Sequence, residues 1–158
     1  MQPRLFEEGK PKRKKPIALT GRSRKFLEHQ GYVVALVERS VNAPRPNGEV
    51  FRNKFDAFNL ADLCCVHPEH TGCLFVQVTD HHNRTAHINK MLAAPAAPVL
   101  LRAHNRIELH CWKSSKRKGQ KLWCLRVQKL DDWLDGSLRF SEIEEHWMRD
   151  NMREIEPF

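Results

Sequence analysis

Short apolar, β-branched runs alternate along the chain with polar segments rich in proline or glycine. An amphipathic helix is predicted to open at Thr20, a capping residue, and to end before Gly31, because glycine suits the backbone conformation that follows many helices. The β-branched segment 32–41 predicts a strand. Residues 42–53 contain two prolines and a glycine, so this stretch is expected to be a loop or the tip of a hairpin.

Two further pairs of apolar segments are typical of β-hairpins. Residues 60–66 and 73–79 are separated by a turn-like stretch, and residues 106–112 and 121–127 by a polar turn that contains Gly119. Apolar runs of this length, bounded by turn residues, are the usual sequence signal of neighbouring strands. The sequence therefore predicts two hairpins.

Helices are predicted in two more places. Residues 82–94 carry apolar side chains at helical spacing and end before Pro95. Ser141 and Glu144 form a capping-box pattern, so a short acidic helix is expected to close the chain. Together with the strands, these helices predict an α/β fold with a mixed central β-sheet flanked by helices.

Length and composition indicate a soluble globular protein. The 158 residues suffice for one ordinary domain, and the fractions of 41% hydrophobic and 29% charged residues are typical of that class. No apolar run approaches the ~20 residues that cross a bilayer, and no secretory signal opens the chain, so we expect no membrane association and a cytoplasmic location. The five cysteines are then expected to be thiols or metal ligands rather than disulfides.

The net charge of +8 is unevenly distributed along the chain. Residues 1–25 contain nine lysines and arginines against two glutamates, whereas residues 131–158 contain nine acidic residues against three arginines. A basic body suits a polyanionic partner, because neutralised phosphates release condensed counterions. A solvated basic surface explains the same composition equally well.

The strongest cluster of positive charge lies near the N-terminus. It consists of Lys12, Arg13, Lys14 and Lys15, which lie among prolines and cannot bury apolar surface. The chain is therefore expected to comprise a disordered basic arm (1–18), a folded domain (19–130) and an acidic helical tail (131–158).

Polar residues interrupt two of the predicted strands. Asp62 lies within an apolar run, where a carboxylate is costly to bury unless it is paired or bound to a cation. Gln77 and Thr79 are two residues apart on the next strand, so they share one face. Such groups can converge on one hard divalent cation such as Mg²⁺ or Mn²⁺. The alternative is that Asp62 caps a turn or pairs with an arginine, and that the other two side chains satisfy each other or the backbone.

The order of these elements, with an acid on one strand and a polar pair on the next, resembles the PD-(D/E)XK nuclease superfamily. More narrowly, the segments KFLEHQGYVVALVE, KFDAFNLADLCCV and LFVQVTD are similar to small, often phage-encoded, resolvase-like proteins. In that pattern an Asp, here Asp56, lies six residues before the metal-binding Asp, here Asp62, and a Val-Gln-Val-Thr strand follows at 76–79. The resemblance covers roughly residues 19–127.

This resemblance implies a restriction-endonuclease-like core over residues 19–130 and a divalent-metal-dependent DNA endonuclease. The implied substrates are Holliday junctions, other branched DNA or duplex DNA, and the implied cofactor is Mg²⁺ or Mn²⁺. Resolvases of this fold often act as homodimers, and the expected location is the cytoplasm of a bacterial or phage-infected cell.

The chain departs from the superfamily pattern on its second strand. The pattern there is Asp or Glu, one residue and then Lys, whereas this chain has Gln77 and Thr79. Glutamine can still offer a neutral carbonyl oxygen, so Asp62 and Gln77 are the implied metal ligands. Threonine cannot supply the positive charge that stabilises developing charge on the phosphate.

Residues elsewhere are therefore expected to complete the catalytic site. Lys54, just before Asp56, and Lys90, on the following helix, are the candidates to replace the missing lysine. A second carboxylate is expected from Glu28, Glu38 or Asp56. The two lysines and the basic arm would also hold the DNA backbone.

Two rival functions follow from other features. Loss of the motif lysine favours a non-catalytic DNA-binding or assembly protein that retains the nuclease fold. A zinc-stabilised interaction module is less favoured, because the spacing of the cysteines and histidines between residues 64 and 73 does not match structural zinc templates. Adjacent Cys64 and Cys65 are also expected to point to opposite faces of a strand.

Overall fold

The computed structural model describes residues 17–132 and 135–156, so most of the predicted basic arm, with Lys12 to Lys15, lies outside the described residues. The elements are α1 Leu19–His29, β1 Val33–Leu36, β2 Arg39–Pro44, β3 Val50–Phe55, β4 Leu63–Val66, β5 Leu74–Asp80, α2 Arg84–Ala93, α3 Ala96–Arg102, β6 Arg106–Arg117, β7 Gln120–Asp132, β8 Leu138–Phe140, β9 Glu144–Met148 and β10 Glu154–Ile155. This mixture of helices and sheet confirms the prediction of an α/β fold.

The main sheet is mixed and runs in the order β1, β4, β5, β6, β7, β9, β10, with β8 also paired to β7. β1, β4 and β5 are antiparallel neighbours, β5 and β6 are parallel, and β6 and β7 form a long antiparallel hairpin. A parallel pair needs a crossover connection, which α2 and α3 supply. The strands β2 and β3 form a separate two-stranded sheet inserted between β1 and β4.

Helices cover both faces of the main sheet. On one face, Leu27 of α1 packs with Val76 and Trp112, and on the other Met91 of α2 packs with Leu109. Because side chains alternate along a strand, neighbouring residues of β5 belong to opposite faces. The polar positions of β5 therefore face α2, while its valines face α1.

Several predicted elements are present with altered bounds. The first helix, the strands around residues 63–66 and 74–80, and the hairpin of β6 and β7 all occur, and the hairpin strands are longer than expected. The segment 32–41 is divided between β1 and β2. Residues 42–53 are mostly the strands of the β2–β3 hairpin, and only a short turn, closed by a hydrogen bond from the Arg45 N–H to the Glu49 carbonyl (2.7 Å), is loop.

The predicted acidic helix at the C-terminal end is wrong, because the segment forms the strand β9. Ser141 does not cap a helix; its hydroxyl instead accepts a hydrogen bond from the backbone N–H of Lys129 (2.9 Å). β9 pairs with β7, where Glu145 lies opposite Arg126 and forms an ion pair with it (2.8 Å). The free edge of β7 and this cross-strand pair outweigh the local helix signal.

Proline after residue 94 favours a break in helical structure, yet residues Ala96–Arg102 form the helix α3. Pro95 directly precedes α3 and Pro98 lies in its first turn, where the missing N–H groups would have no partner within a helix. No helix among the described residues is long and apolar enough to cross a membrane.

Candidate metal centre

The candidate site lies at one end of the main sheet. β1 and β5 are each antiparallel to β4 and therefore run in the same direction. Glu38 follows β1 and Asp62 precedes β4. Both residues thus lie at the end of the sheet where β5 finishes. Asp56, directly after β3, returns the chain to the same place.

Three carboxylates converge at this edge. One oxygen from each of Glu38, Asp56 and Asp62 lies within 4.8 Å of the others, and this is the one cluster of its kind within residues 17–132 and 135–156. The Glu38 and Asp56 side chains are 18% and 15% exposed, and Asp62 is 6% exposed. Hard carboxylate oxygens at this spacing could bind a divalent metal ion.

The spacing is close to what a small divalent ion requires. Oxygens bound to Mg²⁺ at 2.0–2.1 Å are ~3 Å apart on neighbouring positions and ~4 Å apart on opposite positions of an octahedron. The observed oxygens lie within 4.8 Å of one another, so each oxygen–oxygen distance would shorten by at most ~2 Å on metal binding. The Glu38 and Asp56 side chains are partly exposed, so they are the ones that would move.

Asp62 is the most rigidly held of the three. Its backbone N–H donates to the carbonyl of Val76 (2.9 Å), and its backbone carbonyl accepts from the N–H of Val37 (2.9 Å). Its Oδ2 accepts hydrogen bonds from the N–H of Val78 (2.8 Å) and from Nε2 of Gln77 (2.6 Å). Among the described residues, Oδ1 is the oxygen of this carboxylate that remains available for a ligand.

The pKa of Asp62 is raised from its ordinary value of 3.8 to about 6. Burial is the main cause, because it penalises the charged form, and the neighbouring Asp56 and Glu38 add repulsion. The hydrogen bond from Val78 and the charge of Lys90 act in the opposite direction. A divalent ion beside Asp62 would favour the charged carboxylate and reverse this shift.

Two lysines neutralise part of the acidic cluster. Lys90 of α2 forms an ion pair with Asp56 and donates a hydrogen bond to Oε1 of Gln77 (3.3 Å). Lys54 of β3 pairs with Glu38 (2.5 Å), and this contact raises the pKa of Lys54. Both lysines that the sequence offered as substitutes for the missing motif lysine thus lie at the carboxylates.

Gln77 and Thr79 differ in their relation to the site. Gln77 is buried and bridges Asp62 and Lys90, with its amide nitrogen toward the carboxylate and its oxygen toward the lysine. A metal-ligand role for its oxygen requires rotation of the amide by about 180°. The Thr79 hydroxyl instead donates to the backbone carbonyl of Asp80 (3.2 Å). Thr79 is buried on the same face without a hydrogen bond to the carboxylate cluster.

Glu28 lies apart from the cluster. It is an exposed residue of α1, ion-paired with Arg24 one turn earlier (2.7 Å). α1 packs on the opposite face of the sheet, so the structure brings Glu38 and Asp56 to Asp62 and leaves Glu28 out.

His87 is a residue near the site that the sequence analysis missed. It lies three positions before Lys90 on α2, and its buried Nδ1 has no hydrogen-bond partner among the described residues. Burial and the charge of Lys90 lower its pKa, whereas Asp56 raises it. The available signal was helical spacing, because residues three apart on a helix lie on the same side.

The cysteines and histidines between residues 64 and 73 form no comparable cluster. Cys64 and Cys65 lie on opposite faces of β4, as expected from strand alternation. His67 is hydrogen-bonded to the backbone carbonyl of Gln30 (3.2 Å), and its ring packs at a tilt against the ring of Tyr32. The five cysteines are free thiols.

Comparisons of this chain with protein-family models, with curated proteins and with solved structures found no match.

Proposed function

We propose that this protein is a divalent-metal-dependent DNA endonuclease with a restriction-endonuclease-like core. The observation that carries the proposal is the contact of Lys90 with Gln77 and Asp56 beside the three converging carboxylates. A lysine from α2 thereby lies beside Gln77, two positions before Thr79, the position at which the superfamily pattern has its lysine. Lys90 would then supply the positive charge that Thr79 lacks.

The topology supports the same proposal. The resemblance implies the order helix, strand, acid-bearing strand, polar strand and helix. The chain has this order in α1, β1, β4, β5 and α2, and it continues with β6, which is parallel to β5. The β2–β3 hairpin is an insertion into this order. Its two ends carry Glu38 and Asp56, so the insertion supplies two of the three carboxylates.

The residues present fit a Mg²⁺ or Mn²⁺ ion. Oδ1 of Asp62 and carboxylate oxygens of Glu38 and Asp56 are hard ligands, and such ions retain several waters and accept phosphate oxygens. When bound, the ion would supply an activated water and neutralise negative charge on a phosphodiester.

The protein side chains would have separate roles at this site. Asp62, held by Val78 and Gln77, orients its free oxygen. Lys90 would contact a phosphate oxygen and stabilise its developing charge. Lys54 would contact the neighbouring backbone phosphate.

A second function is favoured by one observation. Lys54 and Lys90 already offset the charges of Glu38 and Asp56, so the cluster is compensated without an ion. This arrangement would also suit a DNA-binding or assembly protein that keeps the fold and has no activity. A cleavage assay separates the two functions.

The decisive experiment compares wild type with Asp62→Ala and Lys90→Gln on duplex, flap and four-way-junction DNA in Mg²⁺ or Mn²⁺. Asp62→Ala should abolish cutting, and Lys90→Gln should slow it by ~10²–10³-fold, the loss typical of removing one group that stabilises transition-state charge. Both variants should still bind DNA.

Asp135→Ala is the matched control. Asp135 is an exposed acid paired with Arg139 (2.7 Å) and distant in sequence from the cluster, so this variant should cut as wild type does. If wild type binds DNA but cuts none of these substrates with either metal, the endonuclease proposal is wrong and the non-catalytic function replaces it.

A further inference from the structure

Two hairpins project from the same edge of the sheet as the carboxylate cluster. β1, β5 and β6 all run in one direction, so their C-terminal ends lie together. The β2–β3 hairpin leaves the sheet at the end of β1. β6 pairs with β5 as far as Trp112, opposite Asp80, and continues to Arg117 before it turns into β7.

The two hairpins are separated across the sheet by the strands that carry the site. β1, β4, β5 and β6 are consecutive neighbours, so three strand spacings of about 4.8 Å place the bases of the hairpins ~14 Å apart. Asp62 precedes β4 and Gln77 lies on β5. The candidate site is thus between the two projections.

The first projection, here called ribbon one, comprises residues 39–55 and is basic. It contains Arg39, Arg45, Arg52 and Lys54 against a single acid, Glu49. Arg39 and Arg52 are exposed and make no ion pair with any described residue. Arg52 lies two residues before Lys54 and therefore on the same side of the ribbon, the side that meets Glu38 of the site.

The second projection, ribbon two, comprises residues 113–121 and contains five basic residues and no acid: Lys113, Lys116, Arg117, Lys118 and Lys121. Alternation along β6 places Lys113 on the same face as Leu109, which pairs with Gln77. Ribbon two thus presents positive charge on the face of the sheet that bears the site.

We propose that ribbons one and two clamp double-helical DNA and hold its backbone over the carboxylate cluster. This inference rests on the proposed function for the identity of the partner, and it adds the surface that binds it. The acidic cluster alone would repel a polyanion, whereas cations on both sides attract it. A row of phosphates that passes from one ribbon to the other must cross the carboxylates.

Double-helical DNA fits this surface better than other polyanions do. A two-stranded β-ribbon enters the major groove of B-form DNA, which is about 12 Å wide. The major groove of A-form RNA is too narrow and deep for side chains to reach its floor. An anionic membrane surface is flat, so its negative charges would also face the carboxylate cluster between the ribbons and be repelled by it.

The test measures binding to a 30-base-pair DNA duplex by fluorescence anisotropy in EDTA, across a series of KCl concentrations. The ribbon-one variant is Arg39→Ala with Arg52→Ala, and the ribbon-two variant is Lys113→Ala with Lys116→Ala. Strand alternation places Arg52 and Lys113 on the site face and Arg39 and Lys116 on the opposite face, so each variant removes one charge from each face of its ribbon. The control variant, Lys25→Ala with Lys129→Ala, removes the same charge from exposed residues on the α1 side of the sheet. All six positions are exposed, and circular dichroism checks that each variant is folded.

Each ribbon variant should bind at least tenfold more weakly than wild type at 100 mM KCl. Two lost phosphate contacts should also reduce the slope of log affinity against log salt by ~1.8 in each case. The control should stay within about twofold of wild type. A double-stranded RNA of the same sequence and vesicles with anionic lipid should bind more weakly, with little difference among the variants.

The clamp is wrong if only one ribbon variant weakens binding, or if neither does. Equal losses on DNA, RNA and vesicles would also overturn it in favour of a general anion-binding surface. Because binding is measured without metal, the clamp and the endonuclease function fail separately. Weakened binding by both ribbon variants without any cutting supports the clamp alone, and cutting with unaffected ribbon variants supports the nuclease alone.

Discussion

Substitution of Asp62 by asparagine should stabilise the metal-free protein at neutral pH. Asp62 is 6% exposed, and its pKa of about 6 means that the native state binds a proton there more tightly than the unfolded chain does. The native protein therefore loses stability as pH rises from about 4 to about 6, and above that range it carries the full cost of the buried charge. Asparagine keeps an oxygen for the N–H of Val78 and removes the charge.

The magnitude follows from the difference between the two pKa values. A rise from 3.8 to about 6 corresponds to ~3 kcal/mol, since one pKa unit is worth about 1.4 kcal/mol. Asp62→Asn should raise the free energy of unfolding by up to about this amount at pH 7.5, and by little at pH 4. A metal ion that binds only the native site should narrow or reverse the difference, because it stabilises wild type by about 2.7 kcal/mol at a hundredfold excess over Kd.

The assay is urea unfolding of wild type and Asp62→Asn in EDTA at pH 4, 5.5 and 7.5, repeated at pH 7.5 with Mn²⁺. Asp80→Asn is the matched control, because the N–H of Asn83 lowers the pKa of Asp80 and this substitution should destabilise the protein at neutral pH. The reasoning is refuted if Asp62→Asn is less stable than wild type in EDTA at pH 7.5, or if the difference between them does not change with pH.

Two further predictions concern the pH dependence of cutting and the packing of a turn. At subsaturating Mn²⁺, kcat/KM for DNA cutting should rise about tenfold per pH unit below pH 6 and level off above pH 6. The reason is that only the charged form of Asp62 is a metal ligand. A value of kcat/KM that does not change between pH 5 and 6 would contradict this. Gly72→Ala should destabilise the protein by ~2 kcal/mol or more beyond Gly48→Ala in the same urea assay. Both glycines have positive φ, but an added Cβ at Gly72 would lie 2.3 Å from the carbonyl oxygen of His104, whereas Gly48 is open, so equal losses would refute this.

Local sequence patterns were sufficient for the elements that depend on nearby residues. The helix that ends before Gly31 and the strand 74–80 follow from capping, periodicity and β-branched residues, which act within a few positions of the chain. The same patterns placed Gln77 on β5 and Asp62 on the strand before it, although Asp62 lies one residue before β4 begins. Local patterns misled at Ser141, where a capping box competes with an open strand edge that is distant in sequence.

The composition of the site was decided by the tertiary structure. The sequence offered Glu28, Glu38 and Asp56 as second carboxylates and favoured the last two, and the structure brings these two, at the ends of the β2–β3 hairpin, to Asp62. Lys90 meets Gln77 because the crossover between β5 and β6 lays α2 over that face of β5. Such contacts depend on strand order and helix packing, which join residues far apart in the chain and leave no periodic signal in it.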